Sequence, residues 1–106
     1  MSNTNSAQTV DDEIVDVEEY GRAGKQPPQG KRYRIRIDRE QYVVDVQQMT
    51  GRQILELAGK RPPERYRLDQ KLHGGQSRKI ELDETVDFTA PGVERFMTLP
   101  LDQTEG

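Results

Sequence analysis

The 106-residue sequence contains no cysteine, no tryptophan and a single histidine, His73. Without cysteine there is no disulfide framework, no thiolate nucleophile and no cysteine zinc site. A lone histidine with no metal-ligating companion gives no basis for a metal centre, and His73 stands beside Gly74-Gly75 as part of a turn. No apolar run approaches the ~20 residues of a membrane span, and the start, MSNTNSAQTVDDE, has no basic segment leading into an apolar one, so no secretory signal is expected. The expected location is therefore the cytoplasm, with no membrane partner.

Apolar residues are scarce as well, at 31% against 33% charged. The shortage falls mainly on residues 1–30, which hold six acids (Asp11, Asp12, Glu13, Asp16, Glu18, Glu19) and two bases (Arg22, Lys25). The remaining 76 residues hold 13 acids and 14 bases. A body so close to neutral lacks the cationic surplus that nucleic-acid binding needs. Residues 1–30 read as an acidic, disordered tail and linker, with Pro27-Pro28 excluding helix. The acids there lack the spacing and turn glycine of a calcium loop. Gly74-Gly75 has no following lysine-serine or lysine-threonine pair, so it is no phosphate cradle.

Within this tail, Ile14, Val15, Val17 and Tyr20 bring apolar residues into an acidic context. They are expected to add as a strand to an exposed sheet edge, in the same chain or in a neighbour, which would make the tail a means of self-association.

From Lys31 the pattern is regular. Tyr33-Arg34-Ile35-Arg36-Ile37 and Tyr42-Val43-Val44-Asp45-Val46 alternate with period two, and their proximity predicts an antiparallel hairpin. Tyr33, Ile35 and Ile37 would share a buried face with Tyr42, Val44 and Val46. Thr50 and Gln53 form a capping-box pair before Ile54, Leu55, Leu57 and Ala58, a short amphipathic helix closed by Gly59 and by Pro62-Pro63. Tyr66–Lys71, Arg78–Leu82 and Arg95–Leu99 read as three further strands. Val86 and Phe88 sit in a connection where they would plug one end of the core. One helix cannot cover two faces, so the order strand, strand, helix, strand, strand, strand implies one sheet wrapped on a single helix.

That order resembles the β-grasp fold of ubiquitin. The local phrases resemble one bacterial group in particular: Thr50-Gly51-Arg52-Gln53-Ile54-Leu55, Ala58-Gly59-Lys60 with Pro62-Pro63, Tyr66-Arg67-Leu68, and Val86-Asp87-Phe88 with Pro91-Gly92-Val93-Glu94-Arg95-Phe96. Together they are similar to the bacterial multiubiquitin domain. The resemblance implies an α+β ubiquitin-like β-grasp at residues 31–100, a mixed sheet of about five strands on one helix, with a flexible C-terminal tail at 101–106. It also implies a non-enzymatic protein modifier without a cofactor. Its partners would be a ubiquitin-activating-like enzyme, a ubiquitin-conjugating-like enzyme, a JAB-type or other deconjugating peptidase, and a target protein, in antiphage defence.

By the same resemblance Gly106 would be the conjugated residue, carried on Thr104 and Glu105. This ending departs from ubiquitin's glycine pair preceded by arginine. Lys25, Lys31, Lys60, Lys71 and Lys79 are the candidate acceptors for chain formation. Arg34, Arg36 and Arg67 are a candidate partner-binding face, weighed against plain solvated strand positions that discourage edge aggregation. A sulfur carrier of the same fold and a non-covalent β-grasp binding module are the alternative functions.

Overall fold

A computed structural model describes residues Ile14–Leu101. Eight strands occur among them: β1 (Ile14–Asp16), β2 (Arg32–Ile37), β3 (Glu40–Val44), β4 (Gln48–Thr50), β5 (Tyr66–Leu72), β6 (Ser77–Ile80), β7 (Thr85–Asp87) and β8 (Val93–Pro100). Two helices, α1 (Val17–Arg22) and α2 (Gly51–Leu57), and a one-turn 3-10 helix, Pro63–Arg65, complete the described set. The main sheet runs β1-β2-β8-β5-β6, with β3 also paired to β2, and β4 and β7 form a separate two-stranded sheet. The main sheet is mixed: β2 is parallel to β1 and β8, whereas the β2–β3, β5–β6 and β5–β8 pairs are antiparallel.

Alternation explains the core. In β2 the side chains of Tyr33, Ile35 and Ile37 are buried, and Arg34 and Arg36 point to the other face. The same inner face carries Phe96, Leu68 and Ile80, and it closes on Ile54 and Leu55 of α2 and on Phe88. The fold is thus the expected α+β sheet on a helix, and β2, β3, β5, β6 and β8 are the five strands read from the sequence. Their limits differ in two informative places. The hairpin turn is only Asp38-Arg39, since Ile37 pairs with Glu40. β3 consequently ends at Val44, and Val46, expected on the buried face, is 44% exposed.

Helix α2 starts as its sequence dictates. Thr50 Oγ1 accepts from the Gln53 N–H at 3.2 Å, and Gln53 Oε1 accepts from the Thr50 N–H at 2.9 Å. The next two donors, the N–H groups of Gly51 and Arg52, reach the carbonyls of Glu84 and Leu82, both at 3.0 Å. The helix start is therefore docked on the β6–β7 connection, with a backbone approach so close that a Cβ on Gly51 would lie 2.3 Å from the Glu81 carbonyl oxygen. Replacing Thr50 by Ala should lower stability by about 1 kcal/mol, the usual worth of an N-cap. Urea unfolding with an unchanged m-value would show it.

The ordered body takes in more of the N-terminus than the expected boundary at Lys31. β1 pairs with the first half of β2, Val15 opposite Tyr33, and Val15 and Val17 are buried in the common core. Val17 and Tyr20 lie on α1, not on a strand. The physical reason is charge pairing. Acids that repel one another in isolation meet the arginines of β2 once the segment docks.

Candidate functional site

The outer face of the sheet shows where those charges go. Glu18, only 6% exposed, accepts from Arg36 Nε at 2.8 Å and from Arg22 Nη2 at 3.0 Å. Asp16 Oδ2 stands 3.5 Å from Arg34 Nη1. The hydrogen bond and the attraction from Glu18 raise the Arg36 pKa above its ordinary value. Two members of the expected partner-binding face, Arg34 and Arg36, are thus engaged by the chain's own β1 and α1. The third, Arg67, lies on β5, across β8 from β2, and bonds Asp69 Oδ1 at 2.8 Å. Each of the three arginines thus has an acidic partner within the chain, Asp16, Glu18 and Asp69 respectively.

The second region is the end of β8. This strand lies between β2 and β5. It is held at its far end by Asp38, whose carboxylate accepts from the Thr98 N–H at 2.9 Å and the Thr98 hydroxyl at 2.7 Å. Asp38 adopts a positive φ of 57° to do so, which a turn aspartate tolerates. Beyond Pro100, the Leu101 N–H donates to the Arg65 carbonyl at 2.8 Å. A shallow hollow lined by Arg61, Pro62, Arg65, Tyr66, Pro100 and Leu101 surrounds this point. Lys60 Nζ sits 5.8 Å from the centre of the Tyr66 ring, within cation–π range. Arg52 Nη1 contacts Glu64 Oε2 at 2.6 Å, tying the 3-10 turn beneath the hollow to α2 and lowering the Glu64 pKa. Thr104, Glu105 and Gly106 lie outside the described residues.

Of the candidate acceptor lysines, Lys25, Lys31 and Lys79 are exposed, and Lys60 and Lys71 are half-buried. His73 is exposed in its turn, and no cluster of metal-ligating side chains occurs among the described residues. No helix of the described residues is long and apolar enough to cross a membrane.

Asp87 is the polar hub that sequence reasoning missed. It accepts from the Thr89 hydroxyl at 2.6 Å, the Thr89 N–H at 2.8 Å, Gln47 Nε2 at 3.1 Å and Gln48 Nε2 at 3.3 Å. The Thr89 hydroxyl is the largest cause of a carboxyl pKa lowered from 3.8 to about 2. The available signal was Asp87 two residues before Thr89, a pair that favours a local side-chain to backbone bond. A depressed folded-state pKa means that the stabilisation is complete above the unfolded value and disappears as pH falls through the folded one. Between about pH 4 and pH 2 the protein should lose on the order of 2 kcal/mol through this group. Asp87→Asn should flatten that part of the stability–pH curve relative to wild type, as read by urea unfolding at each pH.

A model of the multiubiquitin family matches residues 33–100. The chain belongs to the multiubiquitin family. The match begins inside β2 and ends with β8, so the family's domain corresponds to β2–β8 and leaves β1 and α1 as an N-terminal addition to this multiubiquitin chain. A search of curated proteins gives no match, and a search of solved structures gives none either.

Proposed function

We propose that this multiubiquitin protein is a bacterial protein modifier, attached to targets through the Gly106 carboxylate and working in antiphage defence. The observation that carries the reading, beside family membership, is the base from which the C-terminal segment departs. β8 is clamped by Asp38 at Thr98 and by Arg65 at Leu101, so the segment that follows starts from a fixed point on the rim. A rigid base and a side-chain-free final residue suit delivery of a carboxylate into a narrow catalytic channel.

The chemistry comes from partners, and this chain contributes no catalytic group. In an activating enzyme, a Gly106 carboxylate oxygen attacks the α-phosphorus of ATP. The bond to the β-phosphate oxygen breaks, and pyrophosphate leaves. The enzyme's cysteine thiolate then attacks the acyl carbon and expels AMP. A second thiolate, on a conjugating enzyme, takes the acyl group, and a target amine or hydroxyl takes it last, giving an isopeptide or an ester. A deconjugating peptidase returns the chain by hydrolysis.

The test mixes the full chain with a cognate activating enzyme and ATP. A reductant-sensitive adduct followed by stable higher-mass species supports the modifier. A mass gain corresponding to one sulfur atom in place of oxygen supports a carrier instead, and no ATP-dependent change supports a non-covalent module. Removing Gly106 should abolish the thioester entirely while leaving the unfolding transition unchanged.

A further inference from the structure

Among the described residues the main sheet ends in two different edges, because β3 occupies one side of β2 while β1 and β8 share its other side. At one end, β6 carries Arg78 and Lys79, each paired with an acid, Glu84 and Glu81 respectively. Cations on an edge strand discourage strand addition. At the other end, β3 has β2 as its strand neighbour, and its central residues Gln41-Tyr42-Val43-Val44 carry no charge and no proline. Val43 is 48% exposed. This is the composition of an edge that pairs.

The hairpin geometry fixes which backbone groups are available. The two-residue turn closes on the Ile37–Glu40 pair, so Glu40, Tyr42 and Val44 direct their N–H and C=O toward β2. Gln41 and Val43 direct theirs outward. A second β3 in antiparallel orientation must therefore bring outward residues opposite outward residues. Only two-fold registers centred on a residue satisfy this. Registers centred between residues fail, and the one centred between Tyr42 and Val43 would also oppose Glu40 to Asp45.

Among the allowed registers, centring on Tyr42 pairs Gln41 with Val43 of the second copy and sets Arg39 opposite Asp45. The two-fold axis makes that ion pair occur twice. Arg39 and Asp45 are both exposed, and neither forms an ion pair among the described residues. Arg39 is the second residue of the hairpin turn and Asp45 stands at the bend just after β3, so the two charges flank the five-residue strand at its opposite ends, where the long arginine side chain can span to the partner's carboxylate. Moving the centre to Gln41 or Val43 loses both ion pairs.

We propose that β3 is a self-association edge on which a second copy of this chain adds antiparallel about Tyr42, joining two sheets into one and fixing the register by two reciprocal Arg39–Asp45 pairs. Association through β3 needs none of the covalent chemistry described above.

Sedimentation velocity of the full chain at low salt reads it directly. A one-strand interface is small, so the dimer should populate between about 10 μM and 1 mM. Arg39→Glu alone, or Asp45→Arg alone, opposes like charges twice and should weaken the dimer roughly tenfold. An equimolar mixture of the two single variants should recover it. In each mixed dimer the introduced glutamate of one copy faces the introduced arginine of the other, and the second pair is the native Arg39–Asp45. Val43→Pro removes an outward N–H without touching the β2 ladder and should abolish association while preserving the far-UV circular dichroism. A monomer throughout this concentration range overturns the proposal. So does a dimer indifferent to Arg39→Glu, or a mixture of the two variants that stays monomeric.

Discussion

Gly21→Ala should destabilise the protein by about 3 kcal/mol, although alanine is the better helix former by about 1 kcal/mol. Gly21 is buried on α1 where the helix crosses the start of β8. A Cβ there would lie 1.9 Å from the Val93 carbonyl oxygen, 2.4 Å from the Val93 carbonyl carbon and 2.9 Å from the Glu94 Cα. All three are backbone atoms of a strand paired with both β2 and β5, so none can rotate aside. Relief requires α1 to move off β8, which exposes Val17 and breaks the contact of Glu18 with Arg36. The loss is bounded by the docking energy of the β1–α1 segment, because beyond that the segment detaches and β2–β8 remain. Urea unfolding measures the magnitude. Hydrogen exchange of Glu19–Arg22 separates detachment from global destabilisation. An increase in stability on Gly21→Ala would mean that the segment is a tail that happens to touch the sheet.

The position of Gly21 also marks where sequence reading reached its limit. The long-range order of the domain is legible because each of its main strands alternates over at least four residues and α2 announces itself with the Thr50–Gln53 box. β4 and β7 are three residues each, shorter than any window in which period two is measurable. Helix α1 is six residues with a glycine inside it, and local propensity argues against it. Its stability comes from tertiary partners, namely the β8 backbone under Gly21 and Arg36 over Glu18, and these are invisible until the chain is folded. Charge was the misleading signal. Six acids in a short stretch read as self-repelling tail, whereas two of them, Asp16 and Glu18, are the counterions of the arginines on β2. The Asp38 clamp escaped for a related reason: a turn aspartate is expected to bond locally, and this one reaches 60 residues along the chain to Thr98.

The second large effect concerns a residue that no strand contains. Phe88 follows β7 directly and is fully buried, with its ring centre 6.1 Å from that of Tyr33 and 6.4 Å from that of Phe96 in an edge-on arrangement. It joins the aromatic side chains of β2 and β8, the two parallel strands at the middle of the sheet. Phe88→Ala removes a whole ring from an interior where the neighbours are held by ladders on both sides, so little collapse follows. The expected cost is about 3–5 kcal/mol. A domain of this size holds about twice that, and Phe88→Leu, which keeps most of the volume, should cost less than half as much. The consequence for function is specific. If the chain acts through its C-terminal carboxylate, Phe88→Ala leaves the reacting group and the rim at Arg65 unaltered. At low temperature, where the variant is folded, it should form the activating-enzyme thioester at the wild-type rate, and above its lowered Tm the yield should fall with the folded fraction. A variant that is folded by circular dichroism yet slow in thioester formation would place Phe88 in the recognised surface, which its complete burial forbids.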